Sequence, residues 1–487
     1  MKKFYKSENL YAILGSFVAA FIFLFNASVN IWKCADVYTD SGVFKTVAMM
    51  MERGYMPYKD TFDHKGPLLY ILNYFGNSIA DYKGIWIVEL IFMTITFWMI
   101  YRIARLSAGI VQSVVATGAS LTLLFPYFEG GNFTEEYAMP FIAISLYIFL
   151  DYFLNEKISK LRLIMCGACL GAVLLLRPNM IAVWIVFAFA VLCRVVKEKK
   201  IAEITSFLVW FIVGIGLIML PILVWLIQND SLEWCWDSYI VFNTMYISEE
   251  GGLSLFKTRW NTLCFFVNTT IFLVAAMVQI YNCCKKKTLV DFAYLIYMGL
   301  TLVFICLSGL ILGHYGMTLV PAVVYPISQL FKIIKEISDE GTAQALGLVV
   351  SIYFMGTLIL PNWISLIAAV PYVYDARLED QRSDTVKQIT SIVHEYTTED
   401  EAISVYGNWD MIYLASERMH ATRYSYQFPI GDVMPEIMDE YFEGLESELP
   451  KIIVTQITYY DDRMNEFLNN NGYSLHWSKD GASVFVR

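Results

Sequence analysis

The sequence predicts a polytopic α-helical membrane protein with a small α/β domain at its C-terminal end. Of the 487 residues, 57% are hydrophobic and only 16% are charged, more apolar surface than a soluble protein of this length could bury. Apolar runs of about twenty residues recur as far as residue 370, after which the chain becomes polar and acidic. We therefore expect a transmembrane domain over 1–370 and a second domain over 371–487.

We count eleven apolar segments as transmembrane helices of about twenty residues each. The first, Tyr11–Trp32, is too long for the apolar part of a signal peptide, and no small-residue cleavage site follows it, so a retained span is expected. The expected spans are centred near Phe21, Met93, Ala119, Ser145, Cys169, Phe187, Ile215, Ile271, Leu300, Val323 and Ser351.

Lysine and arginine residues are concentrated in alternate connections between these spans. Arg102, Arg105 and Lys285–Lys287 belong to such connections, whereas the short connection Tyr127–Tyr137 has no basic residue. The positive-inside rule then places the N-terminus in the cytoplasm, and the odd number of spans places the C-terminal domain outside. The expected location is the plasma membrane, with multiple passes through the lipid bilayer.

The C-terminal domain has its own composition. From Pro371 onward there are 9 lysine and arginine residues against 21 aspartate and glutamate residues, a balance that argues against a nucleic-acid partner. Strand-like runs alternate with helical stretches, which is typical of an α/β domain. The four runs are Ala402–Tyr406, Lys451–Ile457, Tyr473–Trp477 and Ala482–Val486.

The polar segment between the first two spans, residues 33–83, gathers charged residues in an otherwise apolar protein. It contains Asp36 and Asp40 and, later, the sequence Asp63-His64-Lys65-Gly66-Pro67. Apolar residues at helical spacing predict an interfacial helix that starts at Ser41 and stops near Gly54, with Lys45 on its polar side. This segment is the predicted first outer loop.

A second helix of this loop is predicted to open at Gly66-Pro67, since proline suits the first turn of a helix. The unpaired N–H groups and partial positive charge of a helix N-terminus, with added donors from His64 and Lys65, would suit a phosphate. The alternative is that Asp63 simply caps the helix while Lys65 extends towards lipid headgroups, and this stretch alone favours neither.

Four further polar residues lie in or beside other spans. Glu89 is inside span two, where a carboxylate usually faces a cavity or a partner. Arg177 ends span five and either extends to the interface or reaches an anionic headgroup. His314 and Tyr315 stand between two glycines and have donors for phosphate oxygens, although an interfacial histidine is more often only solvated.

The pattern Asp40-Ser41, Gly54-Tyr55-x-Pro57-Tyr58 and Asp63-His64-Lys65-Gly66-Pro67 resembles bacterial membrane glycosyltransferases of the GT-C superfamily. Their relatives include lipid A aminoarabinose transferases and protein O-mannosyltransferases. Arg177-Pro178-Asn179, His314-Tyr315 and the C-terminal α/β domain are also similar to that group, so the resemblance covers nearly the whole chain.

The resemblance implies a GT-C-like fold and a function in building cell-envelope polysaccharide. The expected reaction moves a sugar from a polyprenyl phosphate-sugar donor to an acceptor hydroxyl of a lipid-linked glycan, a cell-surface polymer or a protein. In-line displacement would invert the anomeric centre. No cofactor is implied with certainty: many relatives have a glutamate where this chain has Ser41, which leaves a divalent cation open and identifies no metal ligand.

The resemblance also implies roles for single residues. Asp40 matches the proposed base of the first outer loop, and Lys65 matches a lysine linked to the donor phosphate, although His64 separates it from the acidic residue Asp63. Asp36 and Glu89 are expected to support the site without touching the substrate. The expected catalytic residues are Asp40 and Asp63, and the expected substrate and phosphate contacts are Lys65, His64, Arg177, His314 and Tyr315.

Three alternatives remain open at the level of the sequence. A lipid or polysaccharide transporter would line a path through both leaflets with polar residues, but the notable charges gather on the outer side. A glycan polymerase or ligase that uses diphosphate-linked donors would not concentrate its motif residues in the first outer loop. A scaffold that binds partners through its C-terminal domain would not depend on Asp40 or Lys65.

Overall fold

The structure is a computed structural model that describes residues 2–33, 35–36, 39–248, 253–307, 311–376 and 379–487, with side chains left undescribed at 2–6, 39, 201, 246–248, 253–256 and 376. Helices dominate this chain up to residue 376. Their bounds are α1 Lys2–Phe25, α2 Thr39–Glu52, α3 Pro67–Ala80, α4 Ile85–Ala104, α5 Ile110–Leu121, α6 Leu124–Tyr127, α7 Thr134–Asn155, α8 Lys160–Leu174, α9 Ala182–Lys197, α10 Ile201–Gln228, α11 Leu232–Trp236, α12 Phe242–Ser248, α13 Leu253–Val267, α14 Thr270–Lys286, α15 Leu289–Cys306, α16 Val320–Ile337, α17 Glu340–Phe354 and α18 Leu360–Ala376.

Eight helical segments of the described chain are long and apolar enough to cross a membrane. A ninth is added if the pair Lys257–Val267 and Thr270–Lys286, bent by 89°, is one broken span. With these spans the chain is a multi-pass membrane protein. The eight segments are Ser7–Phe25, Ile85–Ala104, Ile110–Tyr127, Thr134–Asn155, Ala202–Gln228, Leu289–Cys306, Gly313–Ile337 and Glu340–Asp375.

Two of the eleven expected spans correspond to shorter helices. The spans centred near Cys169 and Phe187 are α8 and α9, with 15 and 16 residues, below the length of about twenty that crosses a bilayer. Helix α8 nevertheless packs closely on α10. A Cβ atom on Gly167 or Gly214 would lie 2.0 or 2.1 Å from a carbonyl oxygen of the facing helix, so small residues let the two backbones approach. The count of eleven spans and the sidedness stay predictions.

The segment from Gln228 to Lys257 is mostly helical where it is described. It forms α11, a π-helical turn at Asp237–Val241 and α12. Residues 232–248 contain neither glycine nor proline, so nothing in this stretch stops a helix. The aromatic residues Trp234, Trp236 and Phe242 are therefore carried on helices.

Contacts within the chain separate it into two compact units. Unit one contains residues 1–27, 89–221 and 250–371, and unit two contains residues 28–88, 222–249 and 372–487. The break after residue 371 coincides with the expected domain boundary, but the first outer loop groups with the C-terminal residues in unit two. The domain division 1–370 and 371–487 stays a prediction.

The C-terminal part of unit two is an α/β fold whose four strands match the four predicted runs. Strand order is β1-β2-β4-β3; β1 and β2 are parallel, and β4 is antiparallel to both of its neighbours. Helices α19 and α20 cover the sheet with apolar side chains such as Ile389 and Ile412, both fully buried. The bounds are α19 Asp384–Tyr396, β1 Ser404–Tyr406, α20 Met411–Ser416, α21 Ile430–Val433, α22 Glu436–Glu448, β2 Ile452–Gln456, α23 Asp462–Asn470, β3 Ser474–Lys479 and β4 Ala482–Val486.

Both helices predicted for the first outer loop are present in unit two. Helix α2 ends at Glu52, followed by Gly54 at a φ of 89°, and α3 starts at Pro67 after Gly66. One detail differs: Lys45, expected on the polar side of α2, is only 1% exposed and lies with its ammonium 5.7 Å from the centre of the Tyr82 ring. The chain that follows α3 covers this side of α2, so it is not a solvent face.

Candidate active site

The turn that leads to the Asp63-His64-Lys65 sequence is fixed by its own backbone. Tyr58 adopts a left-handed conformation at φ 69°, and its N–H donates to the Thr61 carbonyl at 2.8 Å. The Tyr58 hydroxyl, which is fully buried, donates to the Lys65 carbonyl at 2.8 Å. These bonds tie both ends of the turn together and hold Asp63 and His64 between them.

Asp63 is a buried carboxylate held by two tyrosines. It is 2% exposed; its Oδ2 accepts a hydrogen bond from the Tyr70 hydroxyl at 2.7 Å, and its Oδ1 accepts one from the Tyr426 hydroxyl at 2.8 Å. Burial, with the nearby Asp63 charge, raises the pKa of both tyrosines well above the ordinary value, so they remain donors. The alternative that Asp63 caps the helix is wrong, because Gly66 occupies the N-cap position of α3 and no side chain makes a cap hydrogen bond there.

His64 and Lys65 extend this arrangement. The Lys65 ammonium lies 2.7 Å from His64 Nε2 and must donate to it, which leaves the ring hydrogen on Nδ1. Nδ1 lies 3.4 Å from Asp63 Oδ1. The backbone is held as well, since Asn243 of α12 donates to the His64 carbonyl at 2.7 Å. Carboxylate, imidazole and ammonium therefore stand in a row at the start of α3.

A loop of the C-terminal α/β fold, residues 418–427, pairs with this turn. The Phe62 N–H donates to the Arg423 carbonyl at 2.8 Å, and Arg423 Nε donates to the Tyr58 carbonyl at 2.9 Å. His420 lies 3.1 Å from the Thr61 hydroxyl. Burial lowers the pKa of His420 to about 4, so it is neutral, and it acts as a structural link rather than a charge.

Asp40 and Asp36 lie in the same unit. Asp40 is half-buried in the first turn of α2, and its charge acts on Tyr426 and on Asp410 of the C-terminal fold. Asp36 is placed differently: its carboxylate accepts from the Ser383 N–H at 3.3 and 3.4 Å, at the start of α19. The structure thus gathers Asp40, Asp63, His64 and Lys65 in unit two, while Asp36 ties the loop to α19.

The remaining predicted residues belong to unit one. Arg177 precedes a 3-10 turn at Pro178–Met180, donates to Glu135 at 2.5 Å and stacks on the Tyr315 ring with its guanidinium carbon 4.0 Å from the ring centre. Glu135 is 2% exposed. Arg177 therefore makes a shielded ion pair with a cation–π contact, and this use of its charge was not foreseen.

His314 and Tyr315 lie in a 3-10 turn, Gly313–Leu319. His314 Nδ1 lies 2.7 Å from Glu129, and its ring stacks on Phe133 at 4.3 Å. The hydrogen bond to His314 lowers the pKa of Glu129, whose other oxygen accepts the Gly313 N–H at 2.9 Å. The interfacial histidine is buried and paired rather than solvated.

Glu89 lies beside a second carboxylate, Glu136, and both are fully buried. The Asn132 N–H donates to Glu89 and, at 3.0 Å, to Glu136. The Tyr137 hydroxyl donates to the Asn132 side chain at 2.8 Å, and Asn132 has the positive φ that this turn requires. Glu89 thus holds the connection between α6 and α7 in unit one.

None of the described residues forms a group of three or more histidine, cysteine or acidic side chains that could hold a metal ion. Sequence reasoning also missed residues that shape the site. Tyr70 is seven positions from Asp63 in the sequence and lies in the first turn of the predicted second helix, so a usable signal was present. Tyr426 and Asp410 had none, since they come from the distant C-terminal fold.

A family model described as "Putative competence-induced protein Ccs4 N-terminal domain" matches residues 5–375. No curated protein matches the sequence. Solved structures give a likeness of fold. ArnT from Cupriavidus metallidurans bound to undecaprenyl phosphate is similar with a TM-score of 0.63 and 12% identity, over 96% of this chain and 97% of that one.

Two structures of the Archaeoglobus fulgidus oligosaccharyltransferase are similar as well. The complex with Zn and sulfate has a TM-score of 0.54 and 15% identity, over 98% of this chain and 73% of that chain. The AglB complex with an inhibitory peptide and a dolichol-phosphate has a TM-score of 0.52 and 13% identity, over 99% of this chain and 74% of that chain. ArnT and AglB are members of the GT-C superfamily, so the predicted GT-C-like fold is confirmed.

Proposed function

Because the chain belongs to the Ccs4 N-terminal domain family and has the GT-C fold, we propose that it is a membrane glycosyltransferase that uses a polyprenyl phosphate-sugar donor. The observation that carries the proposal is the row Asp63, His64 and Lys65 at the N-terminus of α3, in the same unit as Asp40. The lipid phosphates bound by ArnT and AglB support this donor chemistry.

The proposed reaction assigns one task to each group. The acceptor oxygen forms a bond to the anomeric carbon, Asp40 takes the hydroxyl proton, and the bond from the anomeric carbon to the phosphate oxygen breaks. The electron pair leaves with the polyprenyl phosphate, whose charge Lys65 stabilises through its ammonium. Displacement from the opposite side inverts the anomeric centre.

Asp63 stands at the buried end of the row Asp63, His64 and Lys65, and we assign it no proton transfer with the substrate. Two tyrosine hydroxyls occupy its oxygens, and it lies against the N–H side of His64. We propose that it orients the imidazole, so that His64 holds the Lys65 ammonium in place. Arg177, His314 and Tyr315 are proposed as further contacts of the donor phosphate on the resemblance to GT-C glycosyltransferases alone.

The proposed location is the plasma membrane, with a cytoplasmic N-terminus and residues 371–487 outside the cell. The acceptor is a hydroxyl of a lipid-linked glycan, a cell-surface polymer or a protein. A divalent cation would need ligands other than side chains that the described residues bring together. Asp432→Cys in a cysteine-free chain, labelled in intact cells by an impermeant maleimide, tests the sidedness. Labelling only after the cells are opened contradicts it.

The function is tested by incubating membranes with radiolabelled polyprenyl phosphate-sugars of several kinds and following the label into lipid, polymer and protein fractions. Asp40→Asn is expected to lower the rate of transfer by about 100-fold or more, because it removes the general base. Lys65→Met is expected to lower the rate by about 100-fold, because the charge that develops on the departing phosphate loses its ammonium partner. Asp432→Asn and Lys59→Met are the matched controls, and equal activity in Asp40→Asn and wild type overturns the assignment.

A further inference from the structure

Asp410 is a buried acidic residue that the proposed reaction does not use. It stands at the residue before α20, in the C-terminal fold of unit two, and is only 1% exposed. Neither of its carboxyl oxygens has a hydrogen-bond partner among the described residues. A buried carboxylate without partners is costly, because ionisation in such surroundings loses the solvation of the charge.

The charged groups that act most strongly on Asp410 are acidic. Asp40 faces it from α2, Asp63 from the turn before α3, Tyr426 from the 418–427 loop, and Tyr413 from its own helix. No lysine or arginine is among the groups that act most strongly on its carboxyl. Asp40, Asp63 and Asp410 are called the acidic cluster below, and the charges of the first two oppose ionisation of the third.

Two buried hydroxyl groups near Asp410 also lack a hydrogen-bond partner among the described residues. Thr46 of α2 and Ser425 of the 418–427 loop lie close to its carboxyl group, yet neither hydroxyl reaches a hydrogen-bond partner within the described chain. Both residues are fully buried. These two hydroxyls lower the pKa of Asp410, but burial raises it by more.

We propose, on the basis of the proposed function, that Asp410 is a positioning residue that holds a proton within the acidic cluster and, by releasing it, sets how strongly Asp40 attracts the acceptor proton. Burial, with the charges of Asp63 and Asp40, raises the pKa of Asp410 to about 7, which supports this role.

The coupling between Asp40 and Asp410 works in both directions. An ionised Asp40 makes it harder for Asp410 to lose its proton, and an ionised Asp410 makes Asp40 a stronger base by the same free energy. Below about pH 7 the Asp410 proton keeps the charge of the cluster low. Above it, the extra charge assists Asp40 when the acceptor hydroxyl gives up its proton.

The electrostatic part is tested without any substrate. The purified full-length chain in lipid nanodiscs is titrated while infrared difference spectra follow the carbonyl stretch of protonated carboxyl groups. Wild type is expected to lose such a band near pH 7, Asp410→Asn to lack this transition, and Asp40→Asn to move it to lower pH. Asp432→Asn keeps the wild-type curve. A transition that survives in Asp410→Asn, or is unmoved in Asp40→Asn, overturns the proposal.

The catalytic part uses the donor that gives transfer in wild-type membranes. The wild-type rate is expected to rise through the pH at which the infrared band is lost, and the Asp410→Asn rate to lack that rise. The same rise in Asp410→Asn overturns the role in transfer. Absence of transfer with every donor contradicts the proposed function instead, and the infrared titration then still decides whether Asp410 holds the proton.

Discussion

Removal of the Tyr426 hydroxyl tests how the site is held together. In Tyr426→Phe, Asp63 keeps the hydrogen bond from Tyr70 but loses one of 2.8 Å in a buried place. A hydrogen bond to a charged group contributes about 1.5–3 kcal/mol, so the free energy of unfolding should fall by about that amount. Tyr424→Phe is the matched control, because it removes a bond to Glu440, whose side chain is 52% exposed, and a 3.1 Å bond from Arg423, and it should cost less than Tyr426→Phe.

The measurement is the free energy of unfolding in mixed detergent micelles, combined with a double-mutant cycle. In an Asp63→Asn background, Tyr426→Phe should cost less, with a coupling energy of about 0.5–3 kcal/mol between the two positions. The reasoning is refuted if Tyr426→Phe and Tyr424→Phe lower the free energy equally. It is also refuted if the cost of Tyr426→Phe is unchanged when Asp63 is neutral.

Three further results are expected. The pKa of Asp410 is raised by burial to about 7 from 3.8, so folding stability falls as pH rises towards and through 7, and Asp410→Asn should exceed wild type in melting temperature by more at pH 8 than at pH 5. The pKa of Glu129 is lowered, chiefly by the His314 hydrogen bond, so the folding stability that ionised Glu129 contributes is lost as pH falls through that lowered value. Glu129→Gln should therefore flatten the acid side of a plot of melting temperature against pH. Gly214→Leu should lower the yield of folded protein in detergent far more than Gly216→Leu, which faces mainly Leu220.

The features that sequence reasoning predicted are local ones. Gly66-Pro67 starts α3 as expected, because proline constrains the chain whatever packs around it. The four strands follow from short apolar runs between polar stretches. Length of a hydrophobic run was a weaker guide: α8 and α9 occupy expected spans but are shorter than a bilayer requires.

The features that it could not predict depend on residues far apart in the chain. The sequence allowed Asp63 to be a helix cap, because the hydrogen bond to its Oδ1 comes from Tyr426, which is 363 positions away in the chain. Lys45 follows the polar pattern of α2 but is covered by later chain. A carboxylate such as Asp410 carries no local mark of burial, and only the assembled unit gives it two acidic neighbours.

The backbone bond from Phe62 to Arg423 has a consequence for how the protein is made. A ribosome releases Asp63 and its neighbours early and must add some 360 more residues before Arg423 and Tyr426 exist. Until then, the carboxylate that ends up enclosed by two phenols lacks one of them. A chain that ends before Arg423 would therefore lack both the bond to Phe62 and the second phenol of this centre.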